Sequence, residues 1–332
     1  NFRHRANRTK QETRMKYVTD TSHRAKDTDE RTGNVLFEAL PWIKNITGKT
    51  VVIKYGGAAM VDEKLRADVM SDIVLLKILG VNVVIVHGGG KAINRAFDAL
   101  NFPVEFKNGQ RVTTPAAMDV VRQVLVGEVN QDLVAAINRH GNLAVGVSGA
   151  DAGTIMCSTL DPELGRVGKI EHVDTAYLES LIKNEYIPVV ATVGVDEDGG
   201  YYNINADVAA GHVAAAIGAQ KIVYLTDVDG VYEDFSNKDT LISNMSLREM
   251  EEMLASGIVD KGMIPKLQSC CFALRAGVFR SHVINGKTPH SLLIELLTDK
   301  GIGTTMHSTE EALEYDAHPL GTFASRLSVN NL

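Results

Sequence analysis

The chain has few of the features that mark secreted, metal-binding or membrane proteins. It contains only three cysteines in 332 residues, and none has the spacing of a metal site, which favours a reduced, cytosolic protein over a disulfide scaffold. No apolar run approaches the roughly 20 residues of a membrane-spanning helix, and the first thirty residues have no apolar signal region. The net charge of −7 argues against general nucleic-acid binding, which requires a basic surface.

Two common nucleotide-binding motifs are also missing. A Walker A motif requires Gly-x₄-Gly-Lys-Ser/Thr, but Gly48-Lys49-Thr50 has Ile43 in place of the first glycine, and Gly286-Lys287-Thr288 has Ser281 there. No Gly-x-Gly-x-x-Gly follows a predicted strand, which argues against an NAD-dependent dehydrogenase. Any anion must therefore be bound by another arrangement.

Glycine clusters end two strongly predicted strands. Val51–Tyr55 stops at Gly56-Gly57, and Val83–His87 stops at Gly88-Gly89-Gly90. Such β-branched runs are typical of buried parallel strands, and glycine clusters let backbone N–H groups approach an anion closely. The first run also contains Lys54, which is costly to bury unless it faces an anion, although it could reach solvent from the strand end. The two turns predict two anionic groups held side by side, as phosphoryl transfer requires.

Strands and helices alternate along the chain, which predicts a largely parallel central sheet with its ligands at the carboxyl ends of the strands. A helix before the first strand should kink or split at Pro41. The predicted strands cover 51–55, 82–87, 143–147, 187–193, 201–204, 221–226 and 280–284, with a hairpin between 153 and 172. The predicted helices cover 33–46, 62–80, 90–100, 115–140, 174–184, 207–217, 246–255, 264–276 and 289–297.

Further polar residues each have a functional and a structural interpretation. Arg111 could bind a carboxylate through its planar fork, or could be a solvated loop arginine. Asp207, at a helix start, could cap the helix or hold buried lysines in their charged form. The loop around Asp227 and Asp229 lacks the ligands of a calcium site, and could be a turn or a nucleotide loop. Lys266 falls in the first turn of a helix, where a cation is disfavoured unless an anion binds.

Taken together and in order, the motifs resemble those of the amino acid kinase family. They are Ile-Lys-x-Gly-Gly, Val-His-Gly-Gly-Gly, Lys-Asn-Gly-x-Arg-Val-Thr, Asn-x-Asn-Ala-Asp, Thr-Asp-Val-x-Gly-Val and Gly-Met-Ile-Pro-Lys, over about residues 34–306. The resemblance implies an open αβα sandwich with two lobes. The third motif points to members that transfer the γ-phosphoryl group of MgATP to the side-chain carboxylate of N-acetyl-L-glutamate. The products would be N-acetyl-L-glutamyl 5-phosphate and ADP, on the route to arginine.

The resemblance also implies roles for the matching residues. Lys54 and Lys266 would stabilise the transferring phosphoryl group, Asp207 would orient both lysines, and Gly57 and Gly89 would offer their N–H groups to phosphoryl oxygens. The substrate-binding residues would be Gly89, Gly90, Arg111, Asn203 and Asn205, and the ATP-binding residues would be Thr226, Asp227, Asp229, Gly230, Gly262 and Met263. Because a carboxylate is already a nucleophile near neutral pH, no general base is expected, and Mg²⁺ would arrive with the nucleotide.

A regulatory site is implied as well. The helix over 33–46 resembles the N-terminal helix of arginine-inhibited members, in which these helices join three dimers into a hexamer. The alternative is an amphipathic helix packed on its own subunit. Trp42, His282, Glu295 and Gly301 match the site for L-arginine, with Glu295 facing the guanidinium and Trp42 standing where a tyrosine is common. The implied organisation is a disordered leader over 1–32, an oligomerisation helix over 33–47, a substrate lobe over 48–194, an ATP lobe with the arginine site over 195–306, and a tail over 307–332.

Two alternatives stay open at this point. The chain could be another kinase of the same fold, acting on aspartate, glutamate or carbamate, although the Lys107–Thr113 motif argues against this. It could also be a catalytically silent amino-acid sensor. A sensor would not need Lys54, Asp207 and Lys266 together, so their presence favours an enzyme.

Overall fold

The predicted apolar runs form the centre of an eight-stranded sheet in the computed structural model of this chain. The structure describes residues 26–308, apart from residues 61, 108, 261 and 300. Residues 1–25 of the predicted leader (1–32) and residues 309–332 of the predicted tail (307–332) lie outside this range. The strands are β1 (Thr50–Tyr55), β2 (Asn82–His87), β3 (Phe106–Lys107), β4 (Gln110–Arg111), β5 (Ala144–Ser148), β6 (Ile155–Thr159), β7 (Gly168–Val173), β8 (Ile187–Ala191), β9 (Val193–Val195), β10 (Tyr201–Asn203), β11 (Lys221–Thr226), β12 (Val231–Tyr232), β13 (Leu241–Ile242), β14 (Asn244–Ser246), β15 (Arg280–Asn285) and β16 (Thr304–His307).

The helices cover both faces of the sheet and follow the predicted segments closely. They are α1 (Lys26–Ile46), α2 (Glu63–Ile78), α3 (Gly90–Leu100), α4 (Pro115–Arg122), α5 (Gln131–Asn138), α6 (Ala176–Lys183), α7 (Ala206–Ala216), α8 (Leu247–Ser256), α9 (Ile264–Arg275) and α10 (Ser291–Leu297). A π-helical segment, Gln123–Asn130, joins α4 to α5, where one continuous α-helix was predicted. Among the described helices, none is long and apolar enough to span a membrane.

The central sheet is largely parallel, as predicted. Its strand order is β14-β16-β15-β11-β1-β2-β8-β5, and the pairs are parallel except that of β15 with β16. Strand β14, at one edge of the sheet, and its neighbour β16 were not predicted, because each has only three or four residues and no apolar run. A smaller sheet, β10-β9-β6-β7, contains the predicted hairpin as β6 and β7.

The side chains of β1 alternate between the two faces of the central sheet, which explains why helices pack on both faces. Val51, Ile53 and Tyr55 belong to a core cluster with residues of α2, α3, the α4–α5 region and α10, whereas Val52 belongs to a second cluster with residues of α6, α7, α8 and α9. Because successive side chains point to opposite faces, Lys54 lies on the same face as Val52. The sequence therefore brings Lys54 to the side of the sheet that α7 and α9 cover.

Two boundaries differ from the sequence interpretation. Helix α1 continues through Pro41 and begins at Lys26, so Pro41 does not split it and residues 26–32 are helical. Because Ile46 is buried and Trp42 and Ile43 pack against the core, tertiary contacts offset the hydrogen bond that Pro41 removes. The central sheet is continuous across residue 195, since β1 pairs with β11 on one side and β2 on the other, and the division into two lobes stays a prediction.

Candidate active site

Two lysines and one aspartate meet where β1, α7 and α9 converge. The Nζ atom of Lys54 lies 3.0 Å from Asp207 Oδ1, and the Nζ atom of Lys266 donates to the same oxygen at 2.9 Å. The side chains of Lys54, Lys266 and Asp207 are 13%, 6% and 14% exposed, respectively. One carboxylate thus bridges two ammonium groups that have little access to water, and one positive charge remains uncompensated within the trio.

The pKa of Asp207 reflects this environment. Burial by itself would raise the pKa, but the charges of Lys54 and Lys266 and their hydrogen bonds outweigh burial and lower it to about 2. Burial also lowers the pKa of Lys266 from its ordinary value, and the Asp207 carboxylate opposes that shift. Asp207 therefore stays ionised at neutral pH and favours the charged form of the lysine beside it.

The start of α7 fixes the position of Asp207. Asn205 is the N-cap, and its side-chain oxygen accepts hydrogen bonds from the N–H groups of Asp207 and Val208, at 2.9 and 3.2 Å. Asp207 is therefore not the cap that one sequence interpretation allowed, and its carboxylate remains available to the lysines. The Asp207 carbonyl accepts a hydrogen bond from Ser269 Oγ at 2.6 Å, which ties α7 to α9.

Both predicted glycine clusters lie beside these charges. Gly57 has a φ of +75°, a left-handed conformation that favours glycine. A Cβ atom on Gly57 would lie 2.6 Å from Asp227 Oδ1, so a larger residue would displace that carboxylate. After β2, Gly88 and Gly89 lead into α3, whose first residue is Gly90. The N–H groups at such a helix N-terminus favour an anion.

A cavity of about 430 Å³ is lined by two members of the charged trio and by both glycine turns. Its lining includes Lys54, Asp207, Gly57 and Gly88–Gly90. The same cavity is lined by five further charged residues that the sequence analysis missed, namely Arg66, Lys91, Arg95, Glu128 and Asp132. Only Lys91 had a usable sequence signal, because it follows Gly90 directly and places a cation in the first turn of α3. The others lie in helical segments without a distinguishing pattern.

A second, smaller cavity of about 170 Å³ shares the Gly88–Gly90 turn and contains Arg111. Arg111 is only 7% exposed, so it is not a solvated loop arginine. Its Nη2 donates to Asn94 Oδ1 at 2.6 Å, and its guanidinium lies 4.7 Å from the centre of the Phe106 ring. Its buried Nη1 has no hydrogen-bond partner among the described residues. Burial lowers the pKa of Arg111, and the unused donor favours a carboxylate ligand at this position.

Asn203 also lines the second cavity. Its Nδ2 donates to Thr113 Oγ1 at 3.2 Å, and Thr113 Oγ1 in turn donates to the Arg111 carbonyl at 2.9 Å. Asn205 also lines this cavity, although its side-chain oxygen is used by the helix cap. Asn108, which belongs to the motif around Arg111, lies outside the described residues.

A third cavity, of about 240 Å³, is lined by Lys266 and by mostly apolar residues. Of the residues predicted to bind ATP, Thr226, Gly230, Gly262 and Met263 line it. The remaining wall consists largely of apolar and aromatic side chains, among them Tyr232, Phe235, Met253, Ile258 and Val259. A flat, mostly apolar ring such as a nucleobase suits a pocket of this composition.

Two predicted ATP ligands lie outside the lining of the third cavity. The Asp229 carboxylate accepts hydrogen bonds from Tyr232 Oη at 2.6 Å and Asn285 Nδ2 at 2.7 Å, and these bonds lower its pKa. Asp229 therefore orders its own loop. Asp227 lies against Gly57 instead, at the side of the charged trio.

A fourth cavity, of about 460 Å³, contains Trp42, His282, Glu295 and Gly301, the four residues matched to an effector site. Glu295 accepts hydrogen bonds from His282 Nδ1 at 2.7 Å, the Ile302 N–H at 2.8 Å and Thr305 Oγ1 at 3.1 Å. Burial would raise the pKa of Glu295, but these bonds and the charge of His282 lower it to about 2. A carboxylate has about four acceptor positions, so one remains for a ligand.

Comparison with known proteins gives a consistent match. A family model described as "Amino acid kinase family" matches residues 49–285. An acetylglutamate kinase of Nostoc punctiforme is 47% identical over 289 residues, covering 86% of this chain and 97% of that protein. An acetylglutamate kinase of Corynebacterium jeikeium is 49% identical over 284 residues, covering 83% of this chain and 89% of that protein.

Solved structures agree on the fold. An N-acetylglutamate synthase from Neisseria gonorrhoeae, solved with coenzyme A and N-acetyl-glutamate, aligns with a TM-score of 0.74 at 26% identity. The alignment covers 83% of this chain but only 63% of that longer chain. A carbamate kinase from Giardia lamblia bound to citric acid aligns with a TM-score of 0.59 at 16% identity, over 79% of this chain and 99% of that chain, which shows the fold alone.

Proposed function

Because the chain belongs to the amino acid kinase family, we propose that it phosphorylates the side-chain carboxylate of N-acetyl-L-glutamate with MgATP. The observation that carries this proposal is the charged trio of Lys54, Asp207 and Lys266. Lys266 lines the apolar cavity, and Lys54 and Asp207 line the cavity that shares the Gly88–Gly90 turn with the cavity of Arg111. The curated relatives carry the name of this activity at 47–49% identity. The products are N-acetyl-L-glutamyl 5-phosphate and ADP, within arginine biosynthesis.

Arg111 and Asn203 would hold the acceptor. The unused Nη1 donor of Arg111 suits the α-carboxylate, and the Asn203 amide suits a polar group of the acetylamino substituent. The Gly88–Gly90 turn lines both this cavity and the cavity of Lys54 and Asp207, so a substrate bound at Arg111 would direct its side-chain carboxylate toward the charged trio. Free glutamate would bind with an uncompensated ammonium group near the Arg111 guanidinium, which favours the acetylated amine.

Lys54 and Lys266 would neutralise charge on the phosphoryl group as it moves between two oxygens. Phosphoryl transfer depends mainly on positioning and on stabilising developing charge, and both ammonium groups are fixed by Asp207 before the substrate arrives. The N–H groups of Gly57 and Gly89 would add hydrogen bonds to the phosphoryl oxygens. The nucleophile is an ionised carboxylate, so the step requires no proton transfer and no general base.

The nucleotide would bind in the apolar cavity that Thr226, Gly230, Gly262 and Met263 line. Its phosphates would then extend past Lys266 to the trio. Mg²⁺ bound to ATP supplies further charge neutralisation at the phosphates. Among the described residues, no group of three or more His, Cys, Asp or Glu side chains could hold a metal ion.

The proposal is tested by measuring ADP production with MgATP and a panel of acceptors. We expect turnover with N-acetyl-L-glutamate and little or none with L-glutamate, L-aspartate or carbamate at equal concentration. Turnover with L-aspartate or carbamate alone would reassign the acceptor cavity. An absence of turnover with every acceptor, in protein that still binds ATP, would favour the sensor alternative.

We also propose that L-arginine inhibits the enzyme by binding in the fourth cavity. The cavity is lined by Glu295 and Asp299, which suit a guanidinium or an ammonium group, and by Lys221 and Arg280, which suit a carboxylate. Such mixed charge fits a basic amino acid. The same proposal includes a hexamer formed as a trimer of dimers through α1. It also includes a cytosolic location, which is compatible with three cysteines that are all buried and free.

The inhibition is tested with Glu295→Gln, which keeps the size of the side chain and removes its charge. We expect the variant to retain turnover and to need at least about tenfold more arginine for half-inhibition, as expected for loss of a charge-assisted hydrogen bond. Wild-type turnover that is indifferent to arginine would remove the regulatory proposal and leave the kinase proposal intact.

A further inference from the structure

His87, the last residue of β2, makes two specific hydrogen bonds next to the glycine turn. It is fully buried at the end of β2, its Nδ1 lies 2.9 Å from the Gly88 carbonyl oxygen, and its Nε2 lies 3.0 Å from Asn130 Nδ2. Asn130 is 1% exposed and is the last residue of the π-helical segment. His87 and Asn130 thus form a hydrogen-bonded pair, the His87–Asn130 pair.

The partners of Asn130 determine which nitrogen of His87 carries the proton. Asn130 Nδ2 also donates to the carbonyls of Val189, at 2.7 Å, and Val147, at 3.3 Å, so this atom is the amide nitrogen. It therefore donates to His87 Nε2, and the ring proton must be on Nδ1, where it is donated to the Gly88 carbonyl. Burial lowers the pKa of His87 to about 4, so the ring is neutral at physiological pH.

This hydrogen bond fixes the orientation of a peptide group that lines the cavity. The peptide between Gly88 and Gly89 is trans and planar, so its C=O and N–H point in opposite directions. With the Gly88 carbonyl held on the buried His87 ring, the Gly89 N–H points away from that ring. Gly89 lines both the cavity of Lys54 and Asp207 and the cavity of Arg111.

The π-helical segment also packs against the Gly88–Gly90 turn. A Cβ atom at Gly89 would lie 2.6 Å from Leu125 Cδ2 and 3.2 Å from Val129 Cγ2. The residues that contact Gly89 and the residue that orients His87 thus come from one segment. Glycine on both sides would otherwise let this peptide rotate, and rotation would turn a carbonyl oxygen toward the site of the phosphoryl group.

We propose that the His87–Asn130 pair is a positioning device that locks the Gly88–Gly89 peptide with its N–H toward the transferring phosphoryl group. The proposal rests on the proposed kinase function for the identity of the anion, but not for the orientation of the peptide. Neither residue touches substrate. Their contribution is to keep one donor aimed at the place where charge develops during transfer.

The test compares His87→Leu, His87→Asn and Asn130→Leu with the control Asn138→Leu. Asn138 is a matched control because its amide also makes several hydrogen bonds, to Leu143 N, Ala144 N and the Ala144 carbonyl, but it lines none of the cavities described above. We expect His87→Leu and Asn130→Leu to lower kcat on the order of 10- to 100-fold, part of the 10²–10³ that loss of one oxyanion donor removes. KM for both substrates should change by less than about threefold, since the donor acts mainly in the transition state. His87→Asn keeps a donor near the Nδ1 position and should recover part of the loss.

A second readout separates this proposal from the proposed function. Amide hydrogen exchange over residues 88–91 should become faster in His87→Leu and Asn130→Leu, and stay as in the wild type in Asn138→Leu. If kcat and exchange both stay unchanged in His87→Leu while its Tm falls as in Asn138→Leu, the pair is merely structural and the proposal is overturned. If the wild type phosphorylates no acceptor, the proposed function fails, and the exchange result alone still decides whether the pair locks the peptide.

Discussion

At the scale of single residues, Lys54 is the side chain whose loss reports most directly on the proposed reaction. It lies at the carboxyl end of β1, contacts the bridging carboxylate of Asp207 and lines the cavity of about 430 Å³. We predict that Lys54→Ala lowers kcat by about 10²–10³ with a much smaller change in KM for the acceptor, because the ammonium group acts mainly on the transition state.

Steady-state kinetics with both substrates varied would check this prediction. Lys183→Ala removes an exposed lysine from the last turn of α6 and should leave kcat unchanged. Near-normal turnover in Lys54→Ala would remove Lys54 from the mechanism.

Arg111 gives a second prediction at this scale, which concerns binding rather than catalysis. Arg111→Lys keeps the positive charge but loses the planar fork that pairs with a carboxylate. We predict that KM for N-acetyl-L-glutamate rises by about 10- to 100-fold, equivalent to the 1.5–3 kcal/mol of a charged hydrogen bond, and that KM for ATP changes little.

Arg122→Lys is the matched control for Arg111, because Arg122 also lies over an aromatic ring, 4.3 Å from the centre of Tyr201, but lines none of the cavities described above. Equal effects of the two substitutions on KM would show that Arg111 acts through packing alone.

At the scale of elements, one prediction concerns the contact between α2 and α10. His290 precedes α10 and its Nδ1 lies 2.7 Å from Asp72 Oδ1 on α2, where the Asp72 side chain is 1% exposed. Burial raises the pKa of Asp72, and the hydrogen bond and charge of Asp72 raise the pKa of His290 above its ordinary value of 6.5. The folded state thus binds the His290 proton more tightly than the unfolded chain does.

The sign of the pH dependence follows from this raised pKa. The contribution of His290 to stability is fully present below about pH 6.5 and is lost as the pH rises through the raised pKa. We predict that Tm falls less between pH 6 and pH 9 in Asp72→Asn than in the wild type, measured by thermal denaturation in matched buffers. Parallel Tm curves for the two proteins would show that the pair does not couple protonation to folding.

The sequence predicted elements better than their internal geometry. Apolar runs located β1, β2 and β11 to within one residue, because each is buried on both faces. The π-helical segment was not predicted, since its composition continues the pattern of the helices on either side. The motif alone does not show that Asn205 rather than Asp207 caps α7, and the role of Asn205 in substrate binding stays a prediction.

In the candidate site, too, some features were predicted from the sequence and others were not. Lys54 and Lys266 were predicted because each is a lysine in a context that disfavours a cation, and Asp207 because an acid could hold such lysines in their charged form. The structure brings the three within hydrogen-bonding distance. The burial of Arg111 and the bond from His87 to Gly88 were not predicted, because both depend on how distant segments pack.

At the scale of the whole molecule, helix α1 raises the question of assembly. Its C-terminal part packs on the core through Trp42, Ile43 and Ile46, and Trp42 also lines the fourth cavity. We predict that deletion of residues 1–38, which leaves these three residues in place, converts a hexamer into dimers and weakens inhibition by L-arginine. Light scattering coupled to size-exclusion chromatography, with and without arginine, would measure the assembly, and a truncated protein that stays hexameric and inhibitable would contradict the prediction.

The central claim is that the charged trio transfers a phosphoryl group to a carboxylate, and its product offers the most direct test. An acyl phosphate reacts with hydroxylamine to give a hydroxamate, whereas phosphate esters and free ADP do not. We predict that N-acetyl-L-glutamate, MgATP and hydroxylamine yield N-acetyl-L-glutamyl hydroxamate in step with ADP, and that Lys54→Ala yields almost none. ADP release without hydroxamate, or hydroxamate formed equally by Lys54→Ala, would show that the trio does not transfer a phosphoryl group to a carboxylate.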